Sequence, residues 1–169
     1  MTMSDPTTDA TVPVRRRTVP ELLADPWLTT RVQIALGLIF ILAALPKLKD
    51  PPSFAHMIYN YRVVPGGLIN LFALVMPWLE LIAGAMLVLG IWTRPARNVV
   101  AILLLVFMGA IAFNLMRENA VDCGCFDVSA ANLTWDQRIR DMWLVILRDT
   151  GMLLMVAQLW WAERRNVEC

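Results

Sequence analysis

The sequence predicts an all-α protein: a polytopic membrane four-helix bundle with a short amphipathic helix in its first outer loop and both termini cytoplasmic. Three observations carry this. Four apolar runs each approach the roughly 20 residues that a helix needs to cross about 30 Å of hydrocarbon. None of the four alternates as a barrel strand must. Arginine and lysine are spread unevenly among the segments that join them. Of the 169 residues, 58% are hydrophobic, and the mean hydropathy is +0.57, whereas soluble domains run at about 45–50% apolar. A net charge of +1 offers no case for a nucleic-acid partner.

The chain divides into a mobile cytoplasmic tail over 1–30, a membrane domain over 31–165 and a short tail over 166–169. Residues 1–30 are polar and proline-dotted and carry Arg15, Arg16 and Arg17. This pattern resembles the charged region of a signal peptide. Three further apolar segments follow, and Pro46 sits awkwardly behind the small residues Ala43 and Ala44. A retained first membrane helix is therefore the better reading, with a short surface helix near Trp27.

The spans are expected at 32–48, 67–92, 96–116 and 142–162. A helix satisfies its own backbone hydrogen bonds, which lipid cannot do. Basic residues orient the set. One side would hold Arg15, Arg16, Arg17, Arg31, Arg94, Arg97, Arg164 and Arg165, against Lys47, Lys49, Arg62, Arg117, Arg138 and Arg140 on the other. The two arginines of the short turn "TRPAR" and the "ERR" that follows span four point the same way. Both termini are accordingly placed inside and both longer loops outside, in an inner membrane.

In the first outer loop Phe54, Met57, Ile58 and Tyr61 recur at helical spacing, which predicts an amphipathic helix at the interface. The second outer loop contains "DCGCF". After it, Thr134 is placed to cap the last helix.

Cys123 and Cys125 thus face the compartment where disulfides persist. Residues two apart have Cα atoms at roughly 5–7 Å, which overlaps the window of about 4.4–6.8 Å for a disulfide. Gly124 can fold so small a ring. Such a ring constrains little chain and stabilises little, and labile disulfides are the regulatory or catalytic ones. Three readings compete: a metal clamp, an inert staple and a redox pair. A structural zinc site wants four Cys or His ligands. His56 is the single histidine, and Cys169 would lie across the membrane, so no metal is expected. The redox pair is preferred over the staple, and Cys169 is read as a free tail thiol.

Charges inside a span are costly and mark either function or a specific pair. Glu80, Arg148 and Asp149 fall at similar depth, in the half of the bilayer nearer the cysteines, and Lys47 and Asn114 fall towards that side. A polar cluster of Lys47, Glu80, Asn114, Arg148 and Asp149 is expected there, with Glu80–Arg148 as its ion pair. That pair could equally do no more than lock two helices together. Pro77 is expected to bend the second span just before Glu80. His56, Asn60 and Tyr61 are read as ordinary interfacial residues, although His56 could move protons near the pair.

The stretches "LPKLKDPPSFAHMIYNYRVVP", "MPWLELIAGAMLVLG", "DCGCF" and "WLVILRD" occur in the order and spacing of MauE/DoxX-type membrane proteins. The chain resembles that family over about residues 32–160, with Asp127 where the family pattern often has Gly. The resemblance implies a four-helix membrane bundle linked to thiol redox chemistry. It implies maturation of disulfide-rich periplasmic proteins alongside a thioredoxin-like partner, with a quinone connection among DoxX-type relatives. On it, Cys123 and Cys125 match the family's cysteine pair, and Lys47, Glu80, Arg148 and Asp149 match its recurring polar positions.

The function expected is a membrane thiol–disulfide relay component exchanging electrons with a periplasmic thioredoxin-fold protein, with a quinone as one compatible electron acceptor. The competing expectation is a non-catalytic membrane subunit or assembly factor whose CGC loop is a docking element. Direction of electron flow, client and oligomeric state are not encoded in any motif found.

Overall fold

The computed structural model describes residue 23 and residues 25–117 and 134–168. All regular structure among them is helical. Helix α1 (Pro26–Lys49) is followed by α2 (Pro51–Tyr61), a single 3₁₀ turn (Gly66–Leu68), α3 (Ile69–Leu89), α4 (Thr93–Met116) and α5 (Trp135–Glu168). Among the described residues, four helices (all but α2) are long and apolar enough to cross a membrane.

The boundaries follow from local chemistry. The Asp25 carboxylate accepts from the Trp27 backbone N–H at 3.0 Å, and Pro26 takes the first helical position. There its fixed φ is favourable and its missing N–H costs nothing. Helix α1 therefore begins earlier than the apolar run alone suggests, and the surface helix expected near Trp27 is its first turn. Asp50 then serves two helices. Its N–H closes α1 onto Pro46 O at 3.2 Å, while its carboxylate accepts from Ser53 N (3.2 Å) and Ser53 Oγ (2.6 Å) to start α2. At the far end of α3, Gly90 adopts φ 71° and Ile91 N–H returns to Met86 O at 3.1 Å, the left-handed exit for which glycine is suited. Helix α5 opens with the Thr134 N–H donating to Gln137 Oε1 at 2.9 Å, half of a capping box.

The spanning helices form a ring in which α1 packs on α3, α3 on α4, α4 on α5 and α5 back on α1, while α2 lies against α3. Helices α1 and α4 run toward one end of the bundle and α3 and α5 run back. That end holds α2, the end of α4 and the start of α5; it is called the loop end. The opposite, terminal end holds the starts of α1 and α4 and the ends of α3 and α5.

The closest approach is between α1 and α3. A Cβ on Gly37 would sit 2.6 Å from Gly84 O, and one on Gly84 would sit 2.7 Å from Gly37 O. Two hydrogens in place of two side chains let the backbones touch, as packing within lipid favours. Around this crossing Leu36, Phe40, Leu87, Val100, Leu104, Met152 and Val156 make the main core. A second cluster joins Phe54 and Met57 of α2 to Ala73 of α3, which fixes the amphipathic helix by the face expected of it. Leu71, Leu74, Trp78, Leu105, Leu147 and Leu154 point outward and are exposed. Helices apolar on both faces need a hydrocarbon solvent outside as well as a core inside.

Candidate functional site

The site begins with the direction of two side chains. Cα–Cβ bonds tilt toward a helix's own N-terminus. Helices α1 and α3 are antiparallel, so Lys47 leans from the loop end into the bundle and Glu80 leans up to meet it. Counted from the Gly37–Gly84 contact, Lys47 lies about 15 Å and Glu80 about 6 Å along their helices. The long lysine stem closes the difference. Lys47 Nζ donates to Glu80 Oε1 at 2.6 Å and to Oε2 at 2.8 Å, with both side chains only 3% exposed.

Two aromatic rings flank the ammonium: the Phe107 centroid lies 4.7 Å and the Phe54 centroid 5.3 Å from Nζ. Both are within reach of a cation–π attraction. Pro77, one turn before Glu80, is itself buried, and α3 continues through it as helix. Its ring leaves the carbonyl of Ala73 without the usual intrahelical donor.

Across the bundle, Arg148 donates to Asp149 Oδ1 from Nε at 3.0 Å and from an Nη at 2.8 Å. Asp149 is buried, whereas the Arg148 side chain keeps 31% of its exposure. Lys47, Glu80, Arg148 and Asp149 line one cavity of about 30 Å³ together with Phe40, Leu104, Phe107 and Met152. That space admits a water or two. Two cations and two anions face it, so the cluster is neutral as a whole.

Four of the five expected cluster residues are thus brought together, with one correction to their pairing. Glu80 is held by Lys47 rather than by Arg148, and Arg148 is turned onto its neighbour Asp149. Equal depth of the α-carbons misled the pairing, because the lysine stem reaches where its backbone does not. Asn114 stands apart. It lies seven residues, about 10 Å, beyond Phe107 toward the loop end and donates to Tyr61 O at 3.1 Å and Ala110 O at 2.9 Å. It ties α4 to the last residue of α2. Cys123, Cys125 and Cys169 lie outside the described residues.

His56 occupies the exposed face of α2, with Nδ1 3.4 Å from Asn60 Nδ2 one turn on. Arg94 and Arg97, read from the sequence only as marks of orientation, both bind Glu163 of α5, and Arg97 is 8% exposed. With Trp160 Nε1 donating to Asn98 Oδ1 at 3.1 Å, they fasten α4 to α5 at the terminal end. The signal available was "ERR" and "TRPAR" on helices that must end side by side.

A second, apolar cavity of about 110 Å³ opens between α2, α3 and α4 near the loop end, lined chiefly by Phe54, Met57, Tyr61, Phe72, Met76 and Phe107. Phe107 and Phe54 therefore each touch the charged cluster on one side and this pocket on the other.

A family described as methylamine utilisation protein MauE matches residues 25–162, from the cap of α1 to the last turns of α5. A methylamine utilization protein MauE of Methylorubrum extorquens is 37% identical over 141 residues, covering 83% of this chain and 72% of that protein. The protein of that name from Paracoccus denitrificans is 33% identical over 141 residues, covering 81% and 72%. The one from Methylophilus methylotrophus is 34% identical over 105 residues, covering 62% and 55%. No solved structure matches the chain.

Proposed function

The chain belongs to the MauE family of membrane proteins, and from that premise we propose that it serves methylamine utilisation as a membrane component of thiol–disulfide exchange. Its reacting groups are Cys123 and Cys125, on the segment that joins α4 to α5 at the loop end. That end faces the periplasm, the termini face the cytoplasm, and the partner is a thioredoxin-fold protein of the periplasm.

The exchange conserves atoms and electrons. A partner thiolate attacks one sulfur of the Cys123–Cys125 disulfide, a mixed disulfide forms, and the other cysteine leaves as thiolate. The partner's second thiolate then displaces the first sulfur. The partner ends oxidised and the pair ends as two thiols, with one electron pair transferred. The relative potentials of the two pairs set the direction, so the same steps in reverse deliver reductant outward.

One observation supports the reading: the sequence carries Cys-Gly-Cys in the segment that joins α4 to α5, and the bundle those helices help to build encloses an interior cluster of four charges. Interior charges are expensive in lipid and mark function more often than accident. The test is mass spectrometry of alkylated thiols in the full-length protein, with and without a thioredoxin-fold partner. Expected are interconversion of the pair and, in the Cys125→Ser or Cys123→Ser variant, a trapped mixed disulfide. If the pair never responds, or if client maturation survives loss of both cysteines, the loop is a docking element of an assembly factor instead.

A further inference from the structure

Two cavities among the described residues have one lining side chain in common. Phe107 lines both the charged space of about 30 Å³ and the apolar pocket of about 110 Å³. On one side its ring faces the Lys47 ammonium at 4.7 Å; on the other it faces Phe54, Phe72, Met57 and Met76. Turning this side chain aside would join the two. Together they approach the roughly 150 Å³ of a dry cavity that accepts benzene.

The chemistry of the two halves selects the ligand. The charged half sums to zero, so it offers neither an anion nor a cation a net attraction. It does offer donors, the Lys47 ammonium and the Arg148 guanidinium, to an uncharged oxygen. Aromatic rings line the apolar half, which suits a flat ring stacked among them, and methionines adapt to its outline. The pocket lies among helices whose outer faces meet hydrocarbon, so a lipid-soluble ligand reaches it without crossing water.

We propose that the two cavities are the halves of one binding site for an uncharged, planar, oxygen-bearing ring of the quinone class. The ring lies in the apolar half, an oxygen is turned toward Lys47, and Phe107 is the partition that yields. Binding stands independently of the thiol relay; only its redox use rests on that reading. In that use the Cys123 and Cys125 thiols surrender two electrons and two protons. A disulfide forms, and the two carbonyl oxygens of the ring become the hydroxyls of a hydroquinone.

The test uses full-length protein in nanodiscs free of quinone, titrated with decylubiquinone and followed by tryptophan fluorescence. Decylbenzene, with a similar tail and no ring oxygens, is the control. Saturable binding of the quinone is expected, at least tenfold tighter than any of the control. Filling the pocket by Met76→Trp, or from the other wall by Ala110→Leu, should weaken it at least tenfold, while Cys123→Ser with Cys125→Ser should leave it unchanged. Non-saturable uptake, equal uptake of decylbenzene, or tight binding in a folded filled variant overturns the site. Binding without reduction by the cysteine pair sustains the site and sinks its redox use. A pair that cycles with its partner in protein that binds no quinone sinks the site and leaves the relay standing.

Discussion

Lys47 and Glu80 form a two-pronged ion pair inside the bundle, with Nζ at 2.6 and 2.8 Å from the two carboxylate oxygens. The pair joins the loop end of α1 to the middle of α3. It is also the point where the tilts of two antiparallel helices converge.

Breaking this pair from one side strands a charge among apolar groups. Lys47→Met or Glu80→Gln alone is expected to destabilise by about 3–5 kcal/mol, whereas Lys47→Met with Glu80→Met recovers most of the loss. Thermal unfolding in detergent micelles measures both. Arg148 and Asp149 remain balanced in the double variant, so recovery is not confounded by a new unpaired charge. A double variant as unstable as the worse single one would show that the pair is not the energetic unit.

The Gly37–Gly84 contact leaves no room for a side chain on either helix. Gly37→Leu or Gly84→Leu should push α1 from α3 and destabilise by about 1–3 kcal/mol or more, as overpacking does. Gly109, whose added Cβ would meet nothing within 4 Å, is the matched control, and Gly109→Leu should leave unfolding nearly unshifted. Equal effects at Gly37 and Gly109 would contradict the close crossing.

Asp50, outside the spans, is the cap with a pH signature. The Ser53 hydroxyl, and then the Ser53 backbone N–H, hold its carboxyl below the ordinary aspartate value. Its folded value is the lower one, so its stabilisation is present above the unfolded value of about 3.9. That stabilisation is lost as pH falls through the folded value. Comparing wild type with Asp50→Asn isolates the effect from other carboxylates. The difference between their unfolding temperatures should shrink below about pH 4; a constant difference would remove Asp50 as the source.

The proposed exchange uses Cys123 and Cys125 and does not call on Cys169. Cys169→Ser should preserve both the interconversion of the Cys123–Cys125 pair and the trapped partner species, read by non-reducing electrophoresis. Loss of the trapped species in that variant would place the third thiol in the relay.

The helices were legible because lipid demands long apolar runs, and α2 was legible because Phe54 and Met57 fall on one face. The early start of α1 was also written in the chain, as Asp25 followed by Pro26, but an apolar count does not register a cap. The charged residues of the cluster could be named from their cost in lipid. Their partners could not, because depth along a helix locates a Cα and not the end of a lysine. Phe107 and Gly37 carried no local signal. One matters through the two spaces it divides, the other through a glycine 47 positions away.

The even number of crossings among the described residues has a practical corollary. Whichever way the protein inserts, Pro26 at the start of α1 and the last turn of α5 must share a compartment, and the stretches around Arg62 and Thr134 must share the opposite one. Fluorescent or enzymatic reporters fused at the two extremities therefore cannot disagree unless one helix fails to traverse. Such a pair of fusions checks the crossing parity before any question of sidedness is asked.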